Sequence, residues 1–340
     1  MSLKQLAAHL GLSLTTVSRV LNHAGSEHRI APATQKRVLE AAAALNYHPN
    51  ALARGLRKKR SFMVGVMVPE ISEGYSAAVL SGIEDALLDE KYFYFVVSHR
   101  HRADLLREYP RLLQARGAEG IIAVDTPLAE VPAIPAVAVS GHRRKRGILT
   151  IEIDHLAAAR CALSHLAELG HRRIAFIKGQ KFSSDTQARW QAIHRVCDSL
   201  GLAIDPELVV QLEGDLPGSE PGHIAVRRLL ARGRRFSAIF CFNDASAIGA
   251  IAALHEAGLH VPRDVSVVGF DDIPAAATIH PALTTVRQPL VEMGRTAAIT
   301  LLRLIRAGIN DLPQRSILVS PSFIHRRSTE RVAESVKRSQ

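Results

Sequence analysis

From Phe62 onward the chain alternates short apolar runs with amphipathic stripes, and this alternation limits its fold more than any other feature. Phe62–Pro69 is a β-rich apolar run. Val79, Ile83, Ala86 and Leu87 then recur at helical spacing, and Tyr92–Val97 is apolar again. Leu105, Tyr109 and Leu112 give the next helical stripe and Gly120–Val124 the next strand. The pattern restarts at Arg173–Ile177, after a helix predicted over His155–Leu169. It continues through Ala188–Leu200, Ile224–Leu230, Ala238–Phe242, Ala245–Ala257 and Val265–Phe270. Strands that alternate with helices imply a parallel sheet covered on both faces. Two such series predict two doubly wound lobes, with the repetition in architecture rather than in sequence.

The first 60 residues follow a different logic, and there the charge balance matters. Of the formal +11 on 340 residues, +8 lies in this stretch: ten basic groups, including Arg54, Arg57, Lys58, Lys59 and Arg60, face only Glu27 and Glu40. A small basic head on a nearly neutral body has the electrostatics of a polyanion binder, and charge alone is equally that of a solvated arm. The local pattern adds to it. Leu3, Leu6, Ala7 and Leu10 predict a helix over about 2–9, Gly11 turns the chain, and Ser13 is an N-cap for a second helix carrying Val17, Val20 and Leu21. Two short helices joined at a glycine make a helix-turn-helix. A third helix starts at Pro32 and runs to about Asn46, with Val38, Leu39, Ala42 and Leu45 predicted inward. The second helix presents Leu14, Thr15, Ser18, Arg19 and Asn22. In the major groove Leu14 suits a thymine methyl, Thr15 a base or phosphate, and Arg19 a guanine; taken alone, Arg19 is equally a phosphate contact or a surface ion-pair partner.

Thr16-Val17-Ser18-Arg19-Val20-Leu21-Asn22 and Leu45-Asn46-Tyr47-His48-Pro49-Asn50-Ala51-Leu52-Ala53-Arg54 resemble the head of the lactose/galactose repressor (LacI/GalR) family, with a longer loop through Ser26–Arg29. The resemblance adds Thr16, Asn50 and Ala53 to the DNA-contacting set. It also implies a hinge helix over Ala51–Leu56 that orders on operator DNA, with Leu56 wedged into the minor groove. The segment is too short to be a stable free helix, and Gly55 weakens it further. An apolar side chain between base steps kinks a duplex. Without the preceding motif Leu56 reads as an ordinary linker residue.

The body resembles the same family and, through it, the periplasmic sugar-binding fold. Gly170-His171-Arg172-Arg173-Ile174-Ala175-Phe176, Asn243-Asp244, Val265 to Asp272 and Pro281-Ala282-Leu283-Thr284-Thr285-Val286 carry the match, which spans about Ser2 to Thr329. In such folds a ligand lies outside the carboxyl ends of the strands. Asn243 and Asp271 follow strands, and an amide and a carboxylate there suit paired hydroxyls. The resemblance implies Arg189, Asn243 and Asp271 as effector anchors and Tyr75 on the N-lobe side. The surroundings differ from the family's: Ala192 and Ile193 stand where Gly and an aromatic are usual, and Glu73-Gly74-Tyr75-Ser76 replaces an Asn-Pro-aromatic-aromatic stretch. Asp244 and Asp272 also read as caps of the next helix or turn, and Tyr75 as half-buried core.

Other chemistries lack their residues. There is no GxGxxG after a strand, no GxxxxGK[ST] and no GxSxG, so neither a catalytic set nor a cofactor is expected. His99-Arg100-His101 is the one close histidine pair and lacks zincin spacing, so no metal is expected and these residues read as surface or strand-end histidines. Three cysteines without a CxxC fit a reducing compartment. The longest apolar runs fall short of a membrane span, and residues 1–20 lack a signal-peptide pattern. The expected division is a DNA-binding domain at 1–48, a hinge at 49–60, a bilobal effector and dimerisation domain at 61–330, and a polar tail at 331–340. Within the body the N-lobe takes about 61–153 plus 287–316 and the C-lobe 154–286 plus 317–330. The tail is too polar for a heptad seam, so a homodimer is expected, with the helix Tyr75–Asp89 in the contact. These readings combine into a cytoplasmic repressor that binds pseudo-palindromic double-stranded operator DNA under control of a small, sugar-like effector, away from any membrane. The alternatives are a regulator controlled by a partner protein, a solute receptor without DNA function, and an α/β enzyme fused to a helix-turn-helix.

Overall fold

The computed structural model describes residues 2–22, 29–47, 60–71, 74–140, 147–214, 216, 218–307 and 316–332. The chain forms two compact units, Met1–Ser61 and Phe62–Gln340. In the first, α1 (Leu3–Leu10), α2 (Leu14–Leu21) and α3 (Pro32–Ala44) close on Leu6, Ala7, Val17, Val20, Val38 and Ala42. A capping box starts α1, with the Ser2 and Gln5 side chains satisfying each other's backbone N–H. Gly11 ends it at φ 63°, a left-handed turn that suits glycine. The Ser13 hydroxyl accepts from the Thr16 N–H at 3.0 Å and starts α2 as expected. Leu39, expected inside, is 46% exposed. At 3.6 residues per turn it lies about 100° round from Val38, and Gln35, Ala41 and Leu45 flank the buried stripe instead.

The second unit contains two six-stranded sheets. The first has the order β11-β5-β4-β3-β1-β2, from β1 (Met63–Val68), β2 (Phe93–Ser98), β3 (Gly120–Val124), β4 (Ala136–Val139), β5 (Leu149–Ile153) and β11 (Ser316–Val319), all parallel. The second has the order β12-β10-β9-β8-β6-β7, from β6 (Ile174–Lys178), β7 (Val209–Gln211), β8 (Ala238–Cys241), β9 (Ser266–Asp271), β10 (Thr284–Arg287) and β12 (Ser322–Ile324). Only β12 runs antiparallel within it. Both sheets are packed by helices through near-continuous Val, Ile, Leu and Ala cores, as strands covered on two faces require.

The chain passes between the sheets after β5, after β10 and after β11. The last passage lies beyond Val319, so Ile317, Leu318 and Val319 belong to the first sheet rather than to the C-lobe, and Arg287 pairs in the second. Val332, expected in a polar tail, is buried, and its N–H donates to Leu169 O at 3.0 Å. In the helix Ala103–Ala115 the buried position is Leu113, while Leu112 faces solvent. The helices Asp185–Leu200 and Glu220–Ala231 begin earlier than their apolar stripes suggest, because their first turns are largely polar. In each lobe one helix pair approaches closely at glycines. A Cβ at Gly82 or Gly294 would overlap the carbonyl of Val291 or Val79, and one at Gly222 or Gly249 that of Ser246 or Ser219.

Candidate functional site

In the first unit the outer face of α2 is a contiguous surface. Leu14 is 47% exposed, and Thr15, Arg19 and Asn22 are exposed beside it. Arg19 makes no ion pair among the described residues. Thr16 and Ser18 are half-buried and serve the helix ends: Thr16 Oγ1 lies 2.8 Å from Ser13 Oγ, and Asn22 Nδ2 donates to Ser18 O at 2.6 Å. Arg37 Nη2 donates to Leu10 O at 3.1 Å, so one cation of the basic head pins α3 to the end of α1. A face of this kind, with Leu14 and Thr15 in the first turn of α2 and Arg19 in its last, is suited to a base edge and its flanking phosphates. Asn50, Ala53 and Leu56, together with the hinge 51–56, lie outside the described residues.

In the second unit the carboxyl ends of strands from both sheets meet at a cavity of about 80 Å³, room for a cluster of waters or a compact polar ligand. Tyr75, Arg189, Asn243 and Asp271 all line it. Tyr75 comes from the first turn of the helix Gly74–Asp89, and its hydroxyl lies 2.8 Å from Ser140 Oγ. Burial, with Asp185 and Asp125 nearby, pushes that hydroxyl's pKa well up, so it stays a neutral donor. Arg189 is 4% exposed, with its guanidinium 3.6 Å and 4.4 Å from the Phe270 and Phe242 ring centroids. It donates to Phe242 O and, at 3.4 Å, to Asp185 Oδ2, which leaves Nε without a partner. Asn243 is a helix N-cap, its Oδ1 accepting from Ser246 N at 2.9 Å, and it lines the cavity as well. Asn243, rather than Asp244, is thus the cap of this helix.

Asp271 is the last residue of β9, is 6% exposed, and accepts from Gln288 Nε2 at 2.6 Å. Burial raises its pKa well above the ordinary carboxyl value. Its backbone has φ 113°, and lining residues His101 and Asp125 have φ 55° and 40°. Left-handed backbone at non-glycine residues is costly and tends to gather where function needs it. The neighbouring aspartates serve the fold. Asp272 accepts from Arg287 Nε and Arg326 Nη2 at 2.6 Å each. Asp244 accepts from Thr285 Oγ1 at 2.6 Å and Ile273 N at 2.8 Å, which ties the turn after β9 to β10.

Sequence reasoning missed Asp125, Asp185, Gln288, His101 and Phe182, which also line the cavity. Asp125 follows β3, so the strand-end rule that singled out Asn243 and Asp271 applies to it too. Asp125 accepts from Ser184 Oγ at 2.8 Å across the two lobes, and His101 stacks on Phe182 with centroids 3.8 Å apart. His99 is fully buried at the strand end, with Nε2 2.9 Å from Thr126 Oγ1, and burial lowers its pKa to about 4. The described residues contain no His, Cys, Asp and Glu group fit to hold a metal and no helix long and apolar enough to cross a membrane.

Two family models match the chain: "Bacterial regulatory proteins, lacI family" over residues 2–50 and "Periplasmic binding protein-like domain" over 163–329. The HTH-type transcriptional repressor PurR of Haemophilus influenzae is 30% identical, over 97% of this chain and 99% of its own length. The HTH-type transcriptional regulator GalR of Escherichia coli is 31% identical over 96% of this chain and 95% of its own. Among solved structures, the lac repressor dimer bound to operator and the anti-inducer ONPF superposes with a TM-score of 0.85 at 26% identity, covering 97% of this chain and 99% of that one. A transcriptional regulator CelR–cellobiose complex superposes at 0.70 with 27% identity, covering 96% and 99%.

Proposed function

The chain belongs to the LacI family of bacterial regulatory proteins, and from that premise we propose that it acts as a cytoplasmic homodimeric repressor whose hold on operator DNA is set by a small effector in the cavity between its lobes. One observation carries the reading. A single chain holds both an exposed recognition face on α2 and a buried polar cavity, and its relatives match it across nearly its whole length. Leu14, Thr15, Thr16, Ser18, Arg19 and Asn22 are the proposed head contacts, with Asn50, Ala53 and Leu56 beyond them. Two heads on a two-fold axis suit a pseudo-palindromic site. Tyr75, Arg189, Asn243 and Asp271 are the proposed effector contacts.

Control follows from linkage. An effector that prefers one arrangement of the lobes shifts the population toward it, and the coupling to DNA is typically about 1–3 kcal/mol. Which arrangement it prefers decides whether it releases or recruits the protein.

Binding-site selection from random duplexes, followed by titration of salt, tests the DNA reading. Affinity should fall steeply as counterions are taken up again, and a flat response rejects it. A thermal-shift screen tests the effector reading, since a ligand bound by the folded body alone raises its unfolding temperature with occupancy.

A further inference from the structure

Among the described residues three aspartates line the cavity, Asp125, Asp185 and Asp271, beside the guanidinium of Arg189 and the ring of His101. That guanidinium is already engaged by Phe242 O, Asp185 and the two flanking rings. Asp125 accepts from a serine and Asp271 from a glutamine, and neither forms an ion pair among the described residues. Burial raises both carboxyls, Asp125 to about 7 with Asp185 adding to the rise. Buried carboxylates without a cation are costly to keep ionised.

A second observation comes from Gln288. It is 3% exposed and lines the cavity, its Nε2 is spent on Asp271, and its Oε1 accepts from nothing. An orphaned carbonyl beside the Asp271 carboxylate makes this wall rich in acceptors and short of donors. An acidic ligand would meet like charge there. A neutral polyol would supply donors but leave the charge uncompensated. An ammonium supplies three donors and the missing charge together.

We propose that the effector is a small polyhydroxylated molecule carrying a protonated amine, with the ammonium held by Asp125, Asp271 and Gln288 Oε1. The hydroxyls fall to Asn243, Tyr75 and Arg189 Nε, and the stacked His101–Phe182 pair faces the ligand's carbon frame. This rests on the effector reading above and narrows its chemistry.

Calorimetry and thermal unfolding of the full-length protein at pH 8 test it with matched sets: glucosamine, glucose and gluconate; galactosamine, galactose and galacturonate; glucamine and sorbitol. The expected result is an amine that binds at least tenfold tighter than its neutral parent, with no stabilisation by the acids. Asp125→Asn should cut that amine-to-parent ratio tenfold or more. In the unaltered protein the ratio should also grow from pH 5 to pH 8, a readout that does not depend on any variant folding. If no amine outbinds its parent, the proposal fails. If a neutral or acidic member binds instead and Asp271→Asn abolishes that binding, the effector cavity stands and only the amine falls. If an amine binds with a preference that both variants leave unchanged, it binds elsewhere, and the proposal falls with the cavity assignment.

Discussion

The outer face of α2 and the cavity of the body differ in charge, in burial and in the length of chain that builds them. The face is cationic and wet, and it comes from the nine residues Leu14–Asn22. The cavity is acidic and largely buried, and its walls come from segments scattered between Pro69 and Gln288. An exposed Arg19 costs nothing to hold in water, so recognition at the face is nearly free of consequence for folding. The buried carboxylates of the cavity weigh on the fold until a partner compensates them. Ligand binding and stability should therefore be coupled in the body and separate at the face.

The largest effect that would break this contrast comes from Asp271→Ala. Removing one partner of a buried charged contact should weaken the cavity ligand by about 2–5 kcal/mol, read by calorimetry. Operator affinity without ligand should stay near its original value, because Asp271 lies in the other unit, and an intact ligand response would remove Asp271 from the site. Arg19→Ala should cost about 1–3 kcal/mol of operator affinity and relax preference at the base it reads. The unfolding temperature should not move, and an unchanged sequence preference would reduce Arg19 to a phosphate contact.

Asp125→Asn sharpens the coupling side. Asp125 titrates near 7 when folded against 3.8 ordinarily. The folded chain thus keeps a proton that the unfolded chain releases as pH climbs through that window, and stability drains away over it. The groups around Asp125 are Ser184, Asp185 and Arg189 from the facing lobe, Tyr75 and His101 from its own, and Asp271. Buried His99, His165 and His171, each lowered to about 4, pull the other way, gaining stability as pH rises toward 6.5. Chemical denaturation should therefore compare variant with parent: alike below pH 4, with Asp125→Asn progressively more stable up to about pH 7. Parallel curves would show that Asp125 carries no such load. Ser13→Ala gives the smallest effect, about 1 kcal/mol of head stability from a lost N-cap. Cavity ligand affinity should not change, and a change would mean that the two units share more than a chain.

How much was legible varied with how local the signal was. Ser13, Gly11 and Pro32 announced the ends of the head helices because caps and turns act over three or four residues. The edge of a helical stripe was less secure, as Leu39 and Leu112 show, since one position is only 100° of rotation. In the cavity, Asn243 and Asp271 were readable from strand ends followed by turns. Asp185 was not, because nothing near it in the chain marks it as facing Asp125. Gln288 was hidden too, since its role follows from β10 pairing with β9, which brings it to Asp271.

By itself, the order of residues determined three head helices, with the end signals at Gly11, Ser13 and Pro32, two series of strands and helices, and the exposed outer face of α2, all of which depend on spacing within a few turns. Only the tertiary structure decided that Asp125, Asp185, Asp271 and Gln288 share one cavity with the Arg189 guanidinium. Parallel strands gather their carboxyl ends along one sheet edge regardless of their distance in the chain. The electrostatic balance of the cavity is therefore a property of that edge and of no segment that forms it.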